Sequence, residues 1–361
     1  MAPELADEVE DEVLLRIRAD DPATLVRASL ACKRWRRLIH DDPGFRRRRL
    51  DLHRPPPPLL GFACNLGSVS EFIPTSTCCA PAARRRGWRC LDARHGRVLL
   101  CGAPLQIGRN PLDAAALVVW DPAADDRREL PKLPPNARAD NQSWNAALLC
   151  AASFPRLDGN LSRPFTVVLV CSSNSTMFSY VYSSESNSWN QQTHPHQGPQ
   201  CVLQLAPSLL IGNALHFPCR HSKGILEYNL NTREVSMIAL PNECHYKRIV
   251  LVSTEDGRLG FVSVVESNLF MCSRAVDLGG GVAWEQRGFV QLEALLPVGA
   301  YSSSVDVVGF ADGVRLIFLW TIDGIYTVDL MTAHVKKVYK DTSVYGVFPC
   351  VSFCTQGICA A

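Results

Sequence analysis

No run in this 361-residue sequence approaches 18 consecutive apolar residues, so no membrane-spanning helix is expected. No Cys-x-x-Cys pair occurs among the 15 cysteines, which leaves zinc ribbons and redox dithiols without support. Six of the thiols (Cys101, Cys150, Cys171, Cys272, Cys350, Cys354) sit inside apolar runs and read as small core hydrophobes in a reducing compartment. Net charge is close to nil, 37 basic against 35 acidic residues, which argues against a surface built wholly for nucleic acid or anionic lipid. Neither of those is expected as a partner. The first residues, MAPELADEVEDEV, are acidic where a secretory signal needs a basic start, so an intracellular setting, cytoplasmic or nuclear, is expected.

Catalytic signatures are also missing. Gly279–Gly281 lacks the Lys-Ser/Thr of a phosphate loop and reads as a hairpin turn. There is no G-x-S-x-G elbow and no Ser-His-Asp order. His194-Pro-His196 and Cys219-Arg-His221 are not spaced as zinc ligands. The expectation is no catalytic group, no metal and no cofactor.

What is present divides in two. Residues 1–58 are rich in charge and helix formers; residues 59–361 are rich in Val, Leu, Phe, Trp, Gly and Ser, cut by turn residues every 8–12 positions. Between them stands Arg54-Pro55-Pro56-Pro57-Pro58, which cannot continue a helix and favours a stiff extended spacer. The boundaries expected are a helical module at 3–49, a linker at 50–58 and a β domain at 59–361.

In the first part, Asp7–Arg18 starts acidic and ends basic, matching a helix dipole, with Leu5, Val9, Val13 and Ile17 at spacing four and Leu14 beside them. Asp21-Pro22 caps a second helix, along which Leu25, Ala28, Cys32, Trp35 and Ile39 recur, as one helix or two broken near Cys32. Asp42-Pro43 opens a third. About 45 helical residues bury too little to stand alone. Val9, Leu14, Leu15, Leu25, Val26, Leu30, Trp35, Leu38 and Ile39 cannot all hide, and some should seek a partner's helices.

These residues resemble an F-box: Leu5-Ala-Asp-Glu8-Val9, Val13-Leu-Leu-Arg-Ile17, Asp20-Asp-Pro22, Leu25-Val-Arg-Ala28-Ser29, Cys32-Lys-Arg-Trp35-Arg-Arg-Leu38-Ile39 and Asp42-Pro43 with Phe45. The sequence departs from the usual opening at Ala6, where proline is expected. The resemblance implies binding to the Skp adaptor of a Skp–cullin–F-box ubiquitin ligase. It makes Leu5, Val9, Leu14, Ile17, Pro22, Leu25, Trp35 and Leu38 the adaptor-facing or module-forming positions.

The second part repeats. Five segments each run from an apolar strand through a tight turn to a second strand, ending at Asp121, Ser183, Asn229, Asp277 and Asp329, 46 to 62 residues apart. With a return strand after each, such a period is that of a β-propeller blade. Trp120, Tyr182, Tyr228 and Tyr326 recur at one register and read as blade core. Leu59–Leu91 and Val344–Ile358 add further strands, giving six or seven blades, with strands from the two ends of the domain pairing to close the ring. The domain resembles the F-box-associated, kelch-like propellers. The likeness rests on Leu59-Leu60-Gly61-Phe62, Cys64-Asn65, Val119-Trp120-Asp121-Pro122 and Phe348-Pro349-Cys350-Val351-Ser352-Phe353. The fold expected is therefore α+β and multidomain: a small three-helix F-box module, then an all-β propeller.

The function expected is a substrate receptor of a ubiquitin ligase, with an unidentified protein target on the propeller's loop face and no bond chemistry of its own. The alternatives are an interaction scaffold and a propeller enzyme. Trp144, amid Asn141, Gln142, Ser143 and Asn145, is a candidate surface aromatic for target recognition or else a loop anchor. Arg46–Arg49 and Arg84–Arg86 are basic runs that read first as solvated charge.

Overall fold

The computed structural model describes residues 12–17, 28, 30–41 and 45, and then 59–351 apart from 68, 76–78, 80–82, 103–115, 135–142, 151–163, 173–175, 196–201, 221–223, 245–246, 255, 267, 277–281, 298–299 and 301–303. The chain divides into two units, one of them Pro58–Phe353 and the other holding the residues before and after it.

The larger unit is six four-stranded antiparallel sheets. The first takes β1 (Leu59–Leu66), β2 (Val69–Pro74) and β3 (Ala83–Arg86); the second β4 (Trp88–Arg94), β5 (Arg97–Gly102), β6 (Ala116–Asp121) and β7 (Asp126–Glu129). The third takes β8 (Ser143–Cys150), β9 (Phe165–Ser172), β10 (Thr176–Ser183) and β11 (Ser188–Pro195); the fourth β12 (Leu209–Ile211), β13 (Ala214–Pro218), β14 (Gly224–Asn229) and β15 (Val235–Ala239). The fifth takes β16 (Ile249–Ser253), β17 (Leu259–Val265), β18 (Asn268–Val276) and β19 (Val282–Gln291), followed by a one-turn helix at Leu292–Leu295. The sixth takes β20 (Asp306–Ala311), β21 (Leu316–Thr321), β22 (Gly324–Asp329) and β23 (Val335–Tyr339). The last strand, β24 (Val344–Val351), does not found a seventh sheet. It pairs with β1, Phe62 opposite Pro349 and Ala63 opposite Phe348, and completes the first sheet. The expected closure is therefore present, and the blade number is six.

Strict alternation along the second strands explains how the ring packs. On β9, Val167 and Leu169 face the second sheet while Val168 and Val170 face the fourth. On β17, Phe261 packs toward the fourth sheet and Val262 toward the sixth. On β1, Phe62 and Cys64 meet the sixth sheet, Phe318 included, while Ala63 meets the second. A strand buried on both faces must be apolar on both, so these read as continuous Val/Leu/Phe runs. Every pair of neighbouring sheets, the sixth and first among them, shares one such cluster. The outer strands are the reverse: β7 (DRRE) is mostly exposed and β23 carries Lys336 and Lys337, charges that blunt a free edge.

The hairpin from third to fourth strand is built the same way in four sheets. Its first residue accepts backbone N–H bonds on a side-chain oxygen: Asp121 from Ala123 and Ala124, Ser183 from Glu185, Asn229 from Asn231 and Thr232, Asp329 from Met331 and Thr332. Four residues later the backbone turns left-handed, at Asp125, Asn187, Arg233 and Ala333. The buried aromatic before the turn also bonds back to it: Trp120 Nε1 donates to Asp125 at 2.9 Å and Tyr182 OH to Asn187 at 2.8 Å. Trp120, Tyr182, Tyr228 and Tyr326 are all buried, as expected of blade core. Tyr326 corrects the single register, because Val328 occupies the equivalent place and Tyr326 sits one pleat earlier on the same face.

Inner strands expose backbone groups that no further strand satisfies, and side chains from the next sheet do this instead. Asn65 bonds both the N–H and the C=O of Cys90 at 2.8 Å; Asn145 donates to the carbonyls of Gln204 and Ala206; the Asp92 carboxylate accepts the Leu148 N–H at 2.7 Å. Gly309 is required where β20 passes β24: a Cβ there would lie 2.6 Å from the Val347 carbonyl oxygen.

Candidate functional site

In the helical unit, α1 spans Lys33–Asp41. The helical pattern breaks at Cys32, whose Sγ accepts the Trp35 N–H at 3.4 Å and so takes the place of a cap. The two-helix alternative is the one realised at this point. Upstream, Glu12 and Arg16 form an exposed i,i+4 ion pair at 3.1 Å. Leu14, Leu15, Ile39 and Phe45 are buried together, and Ile17, Ala28 and Trp35 pack half-buried against them.

Of the eight positions expected to face an adaptor or form the module, Leu14, Ile17 and Trp35 are brought together in this cluster. Leu14 is wholly inside it. Leu38 lies on α1, and Leu5, Val9, Pro22 and Leu25 fall outside the described residues. Among the described residues the exposed large apolar side chains of this unit are two outside that set: Val13 is 52% exposed and Leu30 76%. Val13 stands on the spacing-four stripe and Leu30 among the apolar residues that cannot all hide, but the same stripe also carries Ile17, which turns inward.

In the propeller, Trp144 is a correction. It lies on β8 opposite Cys171, 6% exposed, packed between the second and third sheets with Leu148 and Tyr180. Strand pairing overrides its polar neighbours, whose side chains serve the ring interior: Ser143 Oγ accepts the Leu203 N–H and Asn145 reaches Gln204. Trp144 is neither a surface aromatic nor a loop anchor.

Several buried groups have the right atoms for chemistry and no access. Ser179 Oγ lies 2.8 Å from His194 Nε2, but both are buried beside Tyr228, and burial pushes the imidazole below its ordinary range. His216 Nε2 lies 3.1 Å from Glu227, also with its pKa pushed down by burial. Arg94 donates to Ser208, linking the second and fourth sheets across 114 residues, and stands 3.7 Å from Asp92, whose carboxyl burial pushes up. The thiols of Cys101, Cys171 and Cys350 are buried and raised by desolvation, Cys101 to about 12, while Cys150 and Cys272 are half-buried and Cys354 lies outside the described residues. Among the described residues no three His, Cys, Asp or Glu side chains gather as a metal site; Cys219 is buried, and His196 and His221 lie outside the described set. No helix among them is long and apolar enough to cross a membrane.

A family model described as F-box protein AT5G49610-like, beta-propeller, matches residues 89–353, and an F-box-like model matches residues 11–51. No curated protein matches the chain in sequence. Solved structures similar to it include a nidogen/laminin complex (10% identity, TM-score 0.45, covering 81% of this chain and 99% of that one). They also include AztD of Citrobacter koseri (10%, 0.37, 82% and 98%) and YCF48 of Cyanidioschyzon merolae (10%, 0.38, 81% and 89%).

Proposed function

Because this chain belongs to the F-box proteins with an AT5G49610-like β-propeller, we propose that it is the target-binding subunit of a Skp–cullin–F-box ubiquitin ligase. In this reading residues 3–49 dock on a Skp-type adaptor and through it a cullin, residues 50–58 form a stiff spacer, and residues 59–361 hold the target protein. Its work is proximity: a target held beside the transferring enzyme reacts at a raised effective concentration, without a catalytic group on this chain. The setting that goes with this is intracellular, cytoplasmic or nuclear.

The observation that carries the reading is the exposed Leu30 and Val13 beside a cluster of four buried side chains. Such a unit has apolar surface left for a partner's helices. The test is calorimetry of the full-length protein against a Skp-type adaptor. Leu30→Asp should weaken binding at least about tenfold, or 1.4 kcal/mol, without moving the thermal transition of the propeller. An adaptor that does not bind the wild-type protein, or binds Leu30→Asp equally well, overturns the reading.

A further inference from the structure

Each sheet of the ring hands the chain to the next, and the sixth hands it to β24, which lies in the first. Within the first sheet, β24 and β1 are therefore joined by pairing and packing alone. Their ladder is also the most irregular among the described strands. It is interrupted twice, at Leu60 on β1 and at Tyr345 on β24, where the other ladders are interrupted once or not at all. A bulged residue leaves the pairing locally undone. The ring is thus weakest in main-chain bonds at the seam where its two ends meet.

Polar side chains straddle that seam. The Glu71 side chain on β2 is only 13% exposed. Its carboxylate accepts from Arg84 Nε on β3 at 2.6 Å and from the Tyr339 hydroxyl at the end of β23 at 2.7 Å, the latter across 268 positions. Arg84 also stands 3.6 Å from Asp341, in the link to β24, and Asp341 accepts bonds from Ser343. The hydroxyl of the bulged Tyr345 donates to the Gly67 carbonyl, in the β1–β2 turn, at 3.0 Å. Residues 67–84 are in this way tied by side chains to residues 339–345. Elsewhere the bonds between sheets end on main-chain carbonyls: Arg128 on Ser184, Trp189 on Pro131 and Trp284 on Ala239. At the seam they converge on a nearly buried carboxylate, which is stable only while its donors stay in place. Burial and the neighbouring Glu71 push the Tyr339 hydroxyl up, so it keeps its proton and remains a donor.

We propose that β24 and β1 part from one another before the ring as a whole unfolds, and that Glu71, with Arg84 and Tyr339, is the latch that sets how often they do. Glu71 is a positioning residue in this device. It holds β2 and β3 against the segment that leads into β24. Opening frees an edge of β1, whose apolar sequence LLGFACNL can then pair with another strand. The proposal does not depend on the receptor reading.

The test is native-state hydrogen exchange of the full-length protein, read by mass spectrometry. Tyr339→Phe removes one hydroxyl and keeps the aromatic ring. It should speed exchange in β24 and β1 by about tenfold, as expected for one bond to a charged group, and leave β9 and β13, in the third and fourth sheets, at their wild-type rates. Glu71→Gln should speed the same two strands at least as much. The double variant should fall short of the two effects combined, because the residues act through a shared bond. Arg258→Gln, which removes an exposed ion pair with Asp256 on the β16–β17 turn, should leave β24 and β1 unchanged. An equal rise in all six sheets, unaltered exchange of β24 and β1 in Tyr339→Phe, full additivity in the double variant, or faster exchange of these strands in Arg258→Gln each overturns the proposal.

Discussion

Tyr182 and Trp35 are both large aromatics placed by helix or strand periodicity, and their surroundings differ in kind. Tyr182 is sealed between two sheets, 5.8 Å from Phe165 and 5.3 Å from Trp189, with its hydroxyl bonded to Asn187. Trp35 is half-buried on a helix whose cluster holds four buried side chains among the described residues. The propeller uses both faces of each second strand and returns to its own start, so it buries large clusters between its sheets, while Phe289, Val290, Ile322 and Met331 stay exposed. The helical unit is too small for that and keeps Leu30 and Val13 outward. One region closes on itself through six shared clusters; the other, among its described residues, gathers a single small one.

The sharpest way to break this comparison is to damage one region and read the other. Phe318 is fully buried between the sixth and first sheets, 5.1 Å from Phe62. Phe318→Ala should cost the propeller about 3–5 kcal/mol in chemical denaturation and leave adaptor affinity unchanged. Loss of adaptor binding in this variant would show the two regions to be one folding unit. Trp35→Ala should do the converse, weakening adaptor binding by about 2–4 kcal/mol with the propeller's denaturation midpoint unmoved; an unaltered calorimetric affinity would remove Trp35 from the interface.

The smallest effect concerns what a closed interior costs. Burial, with Arg94 and Arg97 adding to it, pushes the His95 imidazole down to about 4. The unfolded chain takes up that proton near pH 6.5, before the folded one does, so stability is full above 6.5 and declines as pH falls toward 4. The decline is at most about 3 kcal/mol. His95→Asn, which suits the left-handed backbone at this turn, should flatten urea midpoints across that window. An unchanged pH profile would mean that the imidazole stays solvated.

Local signals made the blades legible. Asp121, Asn229 and Asp329 announce the turn that follows them, because an Asx side chain caps its own hairpin within three residues. Ring closure was legible too, since a strand run at each end of the domain has an edge to cover. What stayed hidden depends on distance along the chain. Trp144 looked like a surface residue because its neighbours are polar, and only the fold shows that it packs between two sheets while Ser143 and Asn145 bond Leu203 and Gln204. The Arg94–Ser208 link joins residues 114 positions apart. No periodicity within one strand carries that information. In the helical unit the apolar stripe was visible, but which side of it faces inward was settled by the packing of Phe45 and Ile39.

The clasp of β24 on β1 also sets a schedule for biosynthesis. As the chain leaves the ribosome, five sheets can form in turn while the first waits, missing its innermost strand until the very last part of the domain has been made. A copy that terminates before Val344 would carry every blade but one and still be an open arc, with the apolar faces of Phe62 and Phe318 bared at its two ends.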